Sequence, residues 1–447
     1  MNRKKFLQTS SAAVVGTGLL GWSCSSPTPS NGTGLKNWAG NVSYHSREVL
    51  YPKTLEEVQE AIRKLKLVKA LGSQHSFSTI ADTEGTHIST AALDKVLRLE
   101  GNNTLVWCES GIRYGTLAKW LDDKNLALHN LASLPHISVA GACATATHGS
   151  GDRCGNLATA VAAFELVRAD GQVVVIDREH PDFYGAVVHL GALGIVTKIA
   201  LDVQPAYQVT QHVFEDLSMD TLSQNFDAIF KSGYSVSLFT HWLDRKINQV
   251  WIKRRSDEVY SQSLSDFFGT TSALTHLHPI KSNSSVNCTD QMGIPGKWFE
   301  RLPHFKMGFT PSNGDELQTE FFIPRTHAVD AILAVETLHQ EVSPALFVTE
   351  IRSIAADQLW MSPAYNKGVI SIHFTWKPEP DQVMPLIPKI EKVLEPFSPV
   401  PHMGKISRLT SDQLSSRFEK FAEFRNMVKN YDPERKFQNA WLDEKIF

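Results

Sequence analysis

The sequence predicts an α+β fold in two parts, and three observations carry that expectation. From Thr54 to about Pro205, short apolar strand-like runs alternate with stretches of helical spacing, the pattern of a mixed helix-and-sheet domain. Within it, the apolar run 67–71 leads straight into the polar, glycine-bearing turn 72–77. After Pro205, strand-like runs alternate with longer helices, which suggests an antiparallel sheet backed by helices.

Composition sets the outer bounds. A chain of 447 residues, 42% hydrophobic and 9% aromatic, can bury a core sufficient for two or three domains, so disorder is not its main theme. Its 44 basic and 47 acidic residues are spread along the chain and give a net charge of -3. That balance leaves no basic footprint for nucleic acid and points to a small, weakly charged substrate. A monomer is expected.

Taken in order, residues 1–24 read as an export signal: Arg3, Lys4 and Lys5 form a basic start and residues 12–20 an apolar stretch too short for a permanent bilayer anchor. The run from Arg3 to Gln8 resembles a twin-arginine signal with lysine in place of one arginine. Cys24, followed by two serines, is a candidate lipid attachment point, although Gly21 stands where the usual lipidation pattern has leucine. The expected location is therefore the periplasm or, through a lipid anchor, the cell envelope, with membrane contact only through the leader. Gly16, Gly18 and Gly21 spell GxGxxG, but no β-α-β unit surrounds them, so they are read as part of the leader. Residues 25–36 form a Ser/Pro/Thr/Gly-rich tether. Cys108, Cys143, Cys154 and Cys288 lack CxxC spacing, so buried free thiols are expected and no metal site.

The first domain is assigned to residues 37–206. Thr54 caps a helix over 54–66, with Glu57 three residues on, and the strand 67–71 follows. Strands are expected over 87–89, 96–99 and 105–108, a helix over 114–124, a glycine-punctuated segment over 138–151, and strands over 163–168, 173–176 and 194–203. The second domain, residues 207–447, is expected to hold strands at 235–239, 249–253, 318–323 and 371–376, with helices at 327–339 and 381–394.

Five segments carry chemistry. Gly72 permits close backbone approach to an anion, and consecutive N–H groups in such a turn form an anion-binding concavity; His75 in the same turn, taken alone, is equally a surface-loop histidine. The small residues from Ser133 to Gly151 either pack a tight turn or clear room for a flat ring and a diphosphate, with Ser138 and Thr145 as hydroxyl donors. The turn from Gly191 to Gly194, followed by Ile195 and Val196, reads as a buried strand start or as a cofactor contact. Glu350 and Arg352 lie two apart, as do His373 and Thr375, so each pair shares one strand face. Neighbouring strands would then present four polar groups together, which suits a polyol, since each unmatched buried hydroxyl costs about 1–3 kcal/mol. A salt-bridged, solvent-facing sheet is the other reading of Glu350 and Arg352.

The stretch Leu71-Gly-Ser-Gln-His75-Ser-Phe77, followed by Ile80-Ala-Asp82, resembles the pyrophosphate loop of the flavoprotein family that includes vanillyl-alcohol oxidase, sugar-lactone oxidases and alditol oxidases. The resemblance extends through Gly191-Ala-Leu-Gly194, Glu350-Ile-Arg352, His373-Phe-Thr375-Trp376 and Pro401-His-Met-Gly-Lys405, and covers residues 37–439. It implies a two-subdomain PCMH-type FAD-binding domain, followed by a C-terminal substrate-binding cap whose last segment returns to the FAD domain. FAD would be joined through its 8α carbon to His75, with Gly72, Ser73, Gln74, Ser76, Phe77, Ser133, Ser138, Gly141, Thr145, His148 and Val196 around it. Doubly linked relatives have a cysteine where this chain reads Leu134-Pro135-His136, so a single link is implied.

The same resemblance assigns Ser133, Glu350, Arg352, His373, Thr375 and Lys405 to a polyol substrate. The implied reaction is oxidation of a terminal alditol hydroxyl to the aldose, with hydride passing to flavin N5 and oxygen reduced to hydrogen peroxide. His373 is the first choice of base, because an imidazole titrates near working pH, and Lys405 its partner or alternative. Arg352 and Lys405 would stabilise developing negative charge, while Glu350 and Ser133 fix the neighbouring hydroxyl. Alanine at position 132 leaves room for oxygen. The alternatives are a sugar-lactone oxidase, a flavin dehydrogenase with another acceptor, or a non-catalytic carbohydrate-binding lipoprotein.

Overall fold

A computed structural model describes residues 34–308 and 315–447 of the chain; residues 1–24, expected to be an export signal and including Cys24 and the glycines at 16, 18 and 21, and residues 25–33 of the expected tether lie outside them. Strand β1 (Glu48–Leu50) precedes helix α1 (Leu55–Lys64), whose first turn is capped as its sequence requires. Thr54 Oγ1 accepts from the Glu57 amide at 3.3 Å, and the Glu57 carboxylate accepts from the Lys53 amide at 2.6 Å. Acidic Glu56 and Glu57 open the helix and Arg63 and Lys64 close it, matching the helix dipole. Its apolar stripe, Val58 and Ile62, packs on β2 (Val68–Leu71) and β3 (Thr86–Ser89). These strands form a parallel sheet in the order β1-β3-β2.

A second, five-stranded antiparallel sheet follows, built from β4 (Val96–Glu100), β5 (Leu105–Glu109), β6 (Val161–Val167), β7 (Val173–Asp177) and β8 (Ile195–Asp202). Its order is β4-β5-β8-β6-β7. Helix α2 (Tyr114–Asp122) lies between β5 and β6, and these elements fall within a residue or two of the expected ranges. Helix α3 (Val139–Ala144) forms inside the segment expected only to be glycine-punctuated.

The remaining chain builds a nine-stranded antiparallel sheet. Its long strands are β9 (Gln208–Ser218), β10 (Ser235–Thr240), β11 (Lys246–Arg255), β12 (Leu317–Pro324), β13 (Leu346–Ile354) and β14 (Val369–Trp376). The central order is β9-β11-β10-β13-β14-β12. One face carries Ile351, Ile372, Phe374 and Trp376 against α4 (Met219–Phe230), α5 (Ala328–Glu336) and α6 (Leu386–Leu394). The helix expected over 381–394 is interrupted, because Pro385 has no amide hydrogen to continue the ladder. The helix expected over 327–339 ends at Glu336, and a separate helix begins at His339.

The last helices, α7 (Phe421–Tyr431) and α8 (Ala440–Lys445), pack back on the first half of the chain. Phe424, Val428 and Leu442 share one apolar cluster with Leu117, Val161 and Leu193. Between them, the Asn439 amide donates to the carbonyls of Ile80 at 3.0 Å and Asp82 at 2.7 Å. Cys108, Cys143, Cys154 and Cys288 are buried and free, as expected.

Candidate active site

The sheet face turned away from α4, α5 and α6 is polar where an ordinary sheet would be apolar. Strand register explains what meets there. Glu320 of β12, His373 of β14 and Glu350 of β13 stand directly opposite one another in a row across three strands. Gln318 and Thr375 form the next row, and Arg352 faces Ser371 on the other side. The face is buried: Glu320 is 2% exposed, Glu350 and Arg352 6% and Thr375 8%, which overturns a solvent-facing salt-bridged sheet as the reading of these residues.

Charges so buried persist only when paired. Arg352 donates through Nη2 to Glu320 Oε1 at 3.0 Å and through Nη1 to the His148 carbonyl at 3.2 Å, and its Nε lies 3.5 Å from Glu350 Oε1. His148 Nε2 lies 3.0 Å from the same Glu320 oxygen. Burial tends to raise the Glu320 carboxyl, but His148 and Arg352 outweigh it and hold it well below the ordinary carboxylate range. Glu350 is depressed in the same way by Arg352 and His304.

His373 does not meet the expectation that it titrates near working pH: burial lowers it to about 3, so its imidazole is neutral. Its tautomer follows from Gln318. The Gln318 amide nitrogen donates to Glu316, so Gln318 Oε1 is the end that accepts, both from Lys405 Nζ and from His373 Nε2, the latter at 3.1 Å. With its proton on Nε2, His373 keeps a lone pair on Nδ1. Lys405 lies with Nζ 4.6 Å above the Phe77 ring, and burial lowers it to about 8.

Phe77 connects this wall to the turn after β2. The Phe77 amide donates to the Gly404 carbonyl at 2.7 Å, so the turn and the Lys405 segment are one hydrogen-bonded unit. His75 stacks on Trp38, with ring centroids 5.0 Å apart and 15° between planes. Its Nδ1 donates to the Ser73 carbonyl at 2.8 Å, while Nε2 is buried without a partner. Burial lowers this ring to about 4, so it is neutral with an unused lone pair. A Cβ on Gly72 would stand 2.7 Å from Ser138 Oγ, and one on Gly141 2.8 Å from the same atom. Ser138 Oγ, between them, is itself buried and unpartnered, and all three residues line one cavity.

One cavity joins the two regions. Gly72, Ser73, Gln74, His75, Ser76, Phe77, Ser138, Gly141, Thr145, His148 and Val196 line it together with Ser133, Glu350, Arg352, His373, Thr375 and Lys405. Thr145 differs in detail from its expected role, since its hydroxyl already donates to the Gly141 carbonyl at 3.1 Å. Glu320, Gln318, His304, His402, Lys69 and Trp38 also line the cavity and were missed. Gln318 and Glu320 carried a legible signal, being two apart on an expected strand as Glu350 and Arg352 are. His304 lies in irregular chain between β11 and β12, where no periodicity marks it.

Comparison with known proteins agrees with this geometry. The FAD binding domain family matches residues 47–177, and the D-arabinono-1,4-lactone oxidase family matches residues 310–445. An alditol oxidase from Streptomyces sp. (strain IKD472 / FERM P-14339) is 42% identical over 413 residues, covering 92% of this chain and 98% of the relative. An L-gulono-1,4-lactone dehydrogenase from Mycobacterium tuberculosis is 26% identical, covering 91% of this chain and 97% of the relative. The crystal structure of cholesterol oxidase from B. sterolicum superposes with a TM-score of 0.74 at 14% identity, over 95% of this chain and 100% of that one, a likeness of fold. The cavity suits FAD: Gly72 and Gly141, where a Cβ would crowd Ser138 Oγ, put bare backbone on its wall, Ser138 offers an unpartnered hydroxyl and His75 an unpartnered ring nitrogen.

Proposed function

We propose, on the premise that this chain belongs to the FAD-dependent family of alditol and sugar-lactone oxidases and has its PCMH-type fold, that it oxidises the terminal hydroxyl of an open-chain alditol to the aldose with oxygen as acceptor. The observation that carries this reading is the buried polar wall of Glu350, Arg352, His373 and Thr375 on neighbouring strands, bordering the same cavity as His75. An alditol offers a donor and an acceptor at every carbon. The wall sets an obligate acceptor, ionised Glu350, beside obligate donors, Arg352 and Lys405, with Ser133 and Thr375 able to play either part.

FAD held in this cavity would supply the two-electron acceptor for the carbinol hydride and, with oxygen as the final acceptor, the route to hydrogen peroxide. His373, neutral and protonated on Nε2, receives the hydroxyl proton at Nδ1. Lys405 and Arg352 stabilise the alkoxide character that develops as that proton leaves, an effect strongest where water is excluded. Glu350 and Ser133 hold the adjacent hydroxyl and so orient the terminal carbon. His75 would hold the flavin covalently through Nε2; its neutrality and free lone pair support this, because only an unprotonated nitrogen can replace a hydrogen of the 8α methyl, the two electrons released passing through the flavin ring to oxygen.

Steady-state assays with xylitol, sorbitol and a sugar lactone, following peroxide and dye reduction in parallel, test the proposal. Peroxide formed in step with alditol consumption is the expected result. Dye reduction without peroxide would make the protein a dehydrogenase, and a preference for the lactone would remove the alditol reading. For the link, acid-precipitated and washed protein should stay yellow while His75→Ala loses the colour.

A further inference from the structure

We propose that Lys253 and His304 form a buried relay that holds Glu350 ionised and aimed, making both of them positioning residues for one hydroxyl of the substrate; the inference rests on the alditol reading of the site. Lys253 projects from β11 and is 1% exposed. Its Nζ donates to the carbonyls of Leu302 and, at 3.0 Å, Pro303, and lies 3.2 Å from His304 Nδ1. Three N–H groups thus meet three acceptors. His304 Nε2 in turn lies 2.7 Å from Glu350 Oε1. The ring is clamped between Trp251, 5.1 Å away at 79°, and Phe239, 5.5 Å away at 67°.

Two arrangements of protons satisfy this chain without changing its total charge. In one, an ammonium at Lys253 donates to Nδ1 and Nε2–H donates to a carboxylate at Glu350. In the other, all the donors reverse and both ends are neutral. Arg352 decides between them: its Nε lies 3.5 Å from the same Glu350 oxygen, and a cation there favours the carboxylate. At the other end burial lowers Lys253 to about 7, and the Glu350 charge and the two carbonyls of Leu302 and Pro303 that its N–H groups reach act against burial and favour the ammonium. His304 is therefore locked as the Nε2–H tautomer and consumes Oε1 of Glu350. The second carboxylate oxygen is left to the cavity, as an acceptor for a substrate hydroxyl. Neither Lys253 nor His304 need touch the reacting carbon for this to govern affinity.

The experiment compares wild type, His304→Leu and His304→Gln in flavin-loaded protein, with xylitol as the probe. Two quantities are read: KM against kcat in turnover, and xylitol affinity for the anaerobically reduced enzyme, which binds without turning over. Loss of a hydrogen bond to a charged group predicts a KM and a dissociation constant for His304→Leu raised roughly 10- to 100-fold, by more than kcat falls. Glutamine places an amide N–H where Nε2–H stood, so His304→Gln should recover most of that affinity. Unchanged affinity in His304→Leu, or a glutamine variant no better than leucine, overturns the relay. A structural role alone would instead lower flavin content and kcat together at constant KM. Wild-type protein that neither oxidises nor binds xylitol would sink the alditol reading, and the relay with it.

Discussion

Replacing Arg352 by methionine keeps most of the side-chain volume and removes the one guanidinium between Glu320 and Glu350. The ion pair to Glu320 is 3.0 Å long, with side-chain exposures of 8% and 2%, so water cannot compensate for its loss. At an effective dielectric of about 20, unit charges at that distance interact by about 5 kcal/mol. Stripping one partner from a buried pair costs about 3–5 kcal/mol, and that is the expected destabilisation at pH about 7.5. The pH dependence gives the sharper test. In wild type both carboxyls are depressed in the folded state, so their contribution is complete above the unfolded value of about 4.3 and fades as pH falls through the folded values. In Arg352→Met burial is no longer outweighed, the folded carboxyls rise above that value, and the penalty is relieved as pH falls through them. Urea unfolding of both proteins at pH about 7.5, 6.5 and 5.5 should therefore show the gap closing as the solution is acidified. A gap below about 1 kcal/mol at the highest pH, or one that stays constant with pH, refutes the reasoning.

Two further outcomes follow from the same geometry. Lys405→Met should keep its flavin yet lose about 100-fold in kcat/KM, since it removes the cation proposed to stabilise the alkoxide. Because wild-type Lys405 is lowered by burial to about 8, the alkaline limb of the profile, where activity falls as the ammonium deprotonates, should vanish in the variant; a retained limb would exclude Lys405. Trp38→Ala removes the ring stacked on His75, worth about 0.5–1.5 kcal/mol, and should slow covalent attachment roughly 2- to 10-fold. Fluorescence of acid-precipitated protein sampled during flavin loading measures it, and an unaltered rate would show that the stack does not position the imidazole.

How much of this was legible depended on whether a pattern was local. Thr54 and Glu57 announced α1 because capping needs only neighbours in sequence, and the strands of the five-stranded sheet were marked by their apolar runs. Strand β9 was missed although Val209 and Val213 alternate, because fully buried Gln211 between them interrupts the apolar period. That glutamine is satisfied far away in sequence, its amide donating to the Thr289 carbonyl at 3.1 Å, so its burial had no local sign. Helix α3 was missed for another reason: six residues of Val, Ala, Gly and Cys are too few to show a period.

The site divides along the same line. That Glu350 and Arg352 share a face, and His373 and Thr375 another, follows from a strand period of two residues and needed no structure. What the chain could not disclose is strand order. Because β14 lies between β13 and β12, Glu350 and Glu320 flank His373 from opposite sides, and Arg352 reaches across β14 to pair with a carboxylate 32 residues away. That order makes the wall electrically possible: Arg352 and Lys405, with the Lys253 ammonium behind His304, oppose the carboxylates Glu320 and Glu350 and the buried Glu316, and removing one of these charges would leave another without its counterpart. The resting neutrality of His373 and His75 is part of the same balance, and a proton that His373 takes from the substrate leaves an equal negative charge on the substrate beside it. A polyol, uncharged and able to donate or accept at each hydroxyl, can enter such a wall without disturbing it, whereas a carboxylate or an ammonium would have to break one of its pairs.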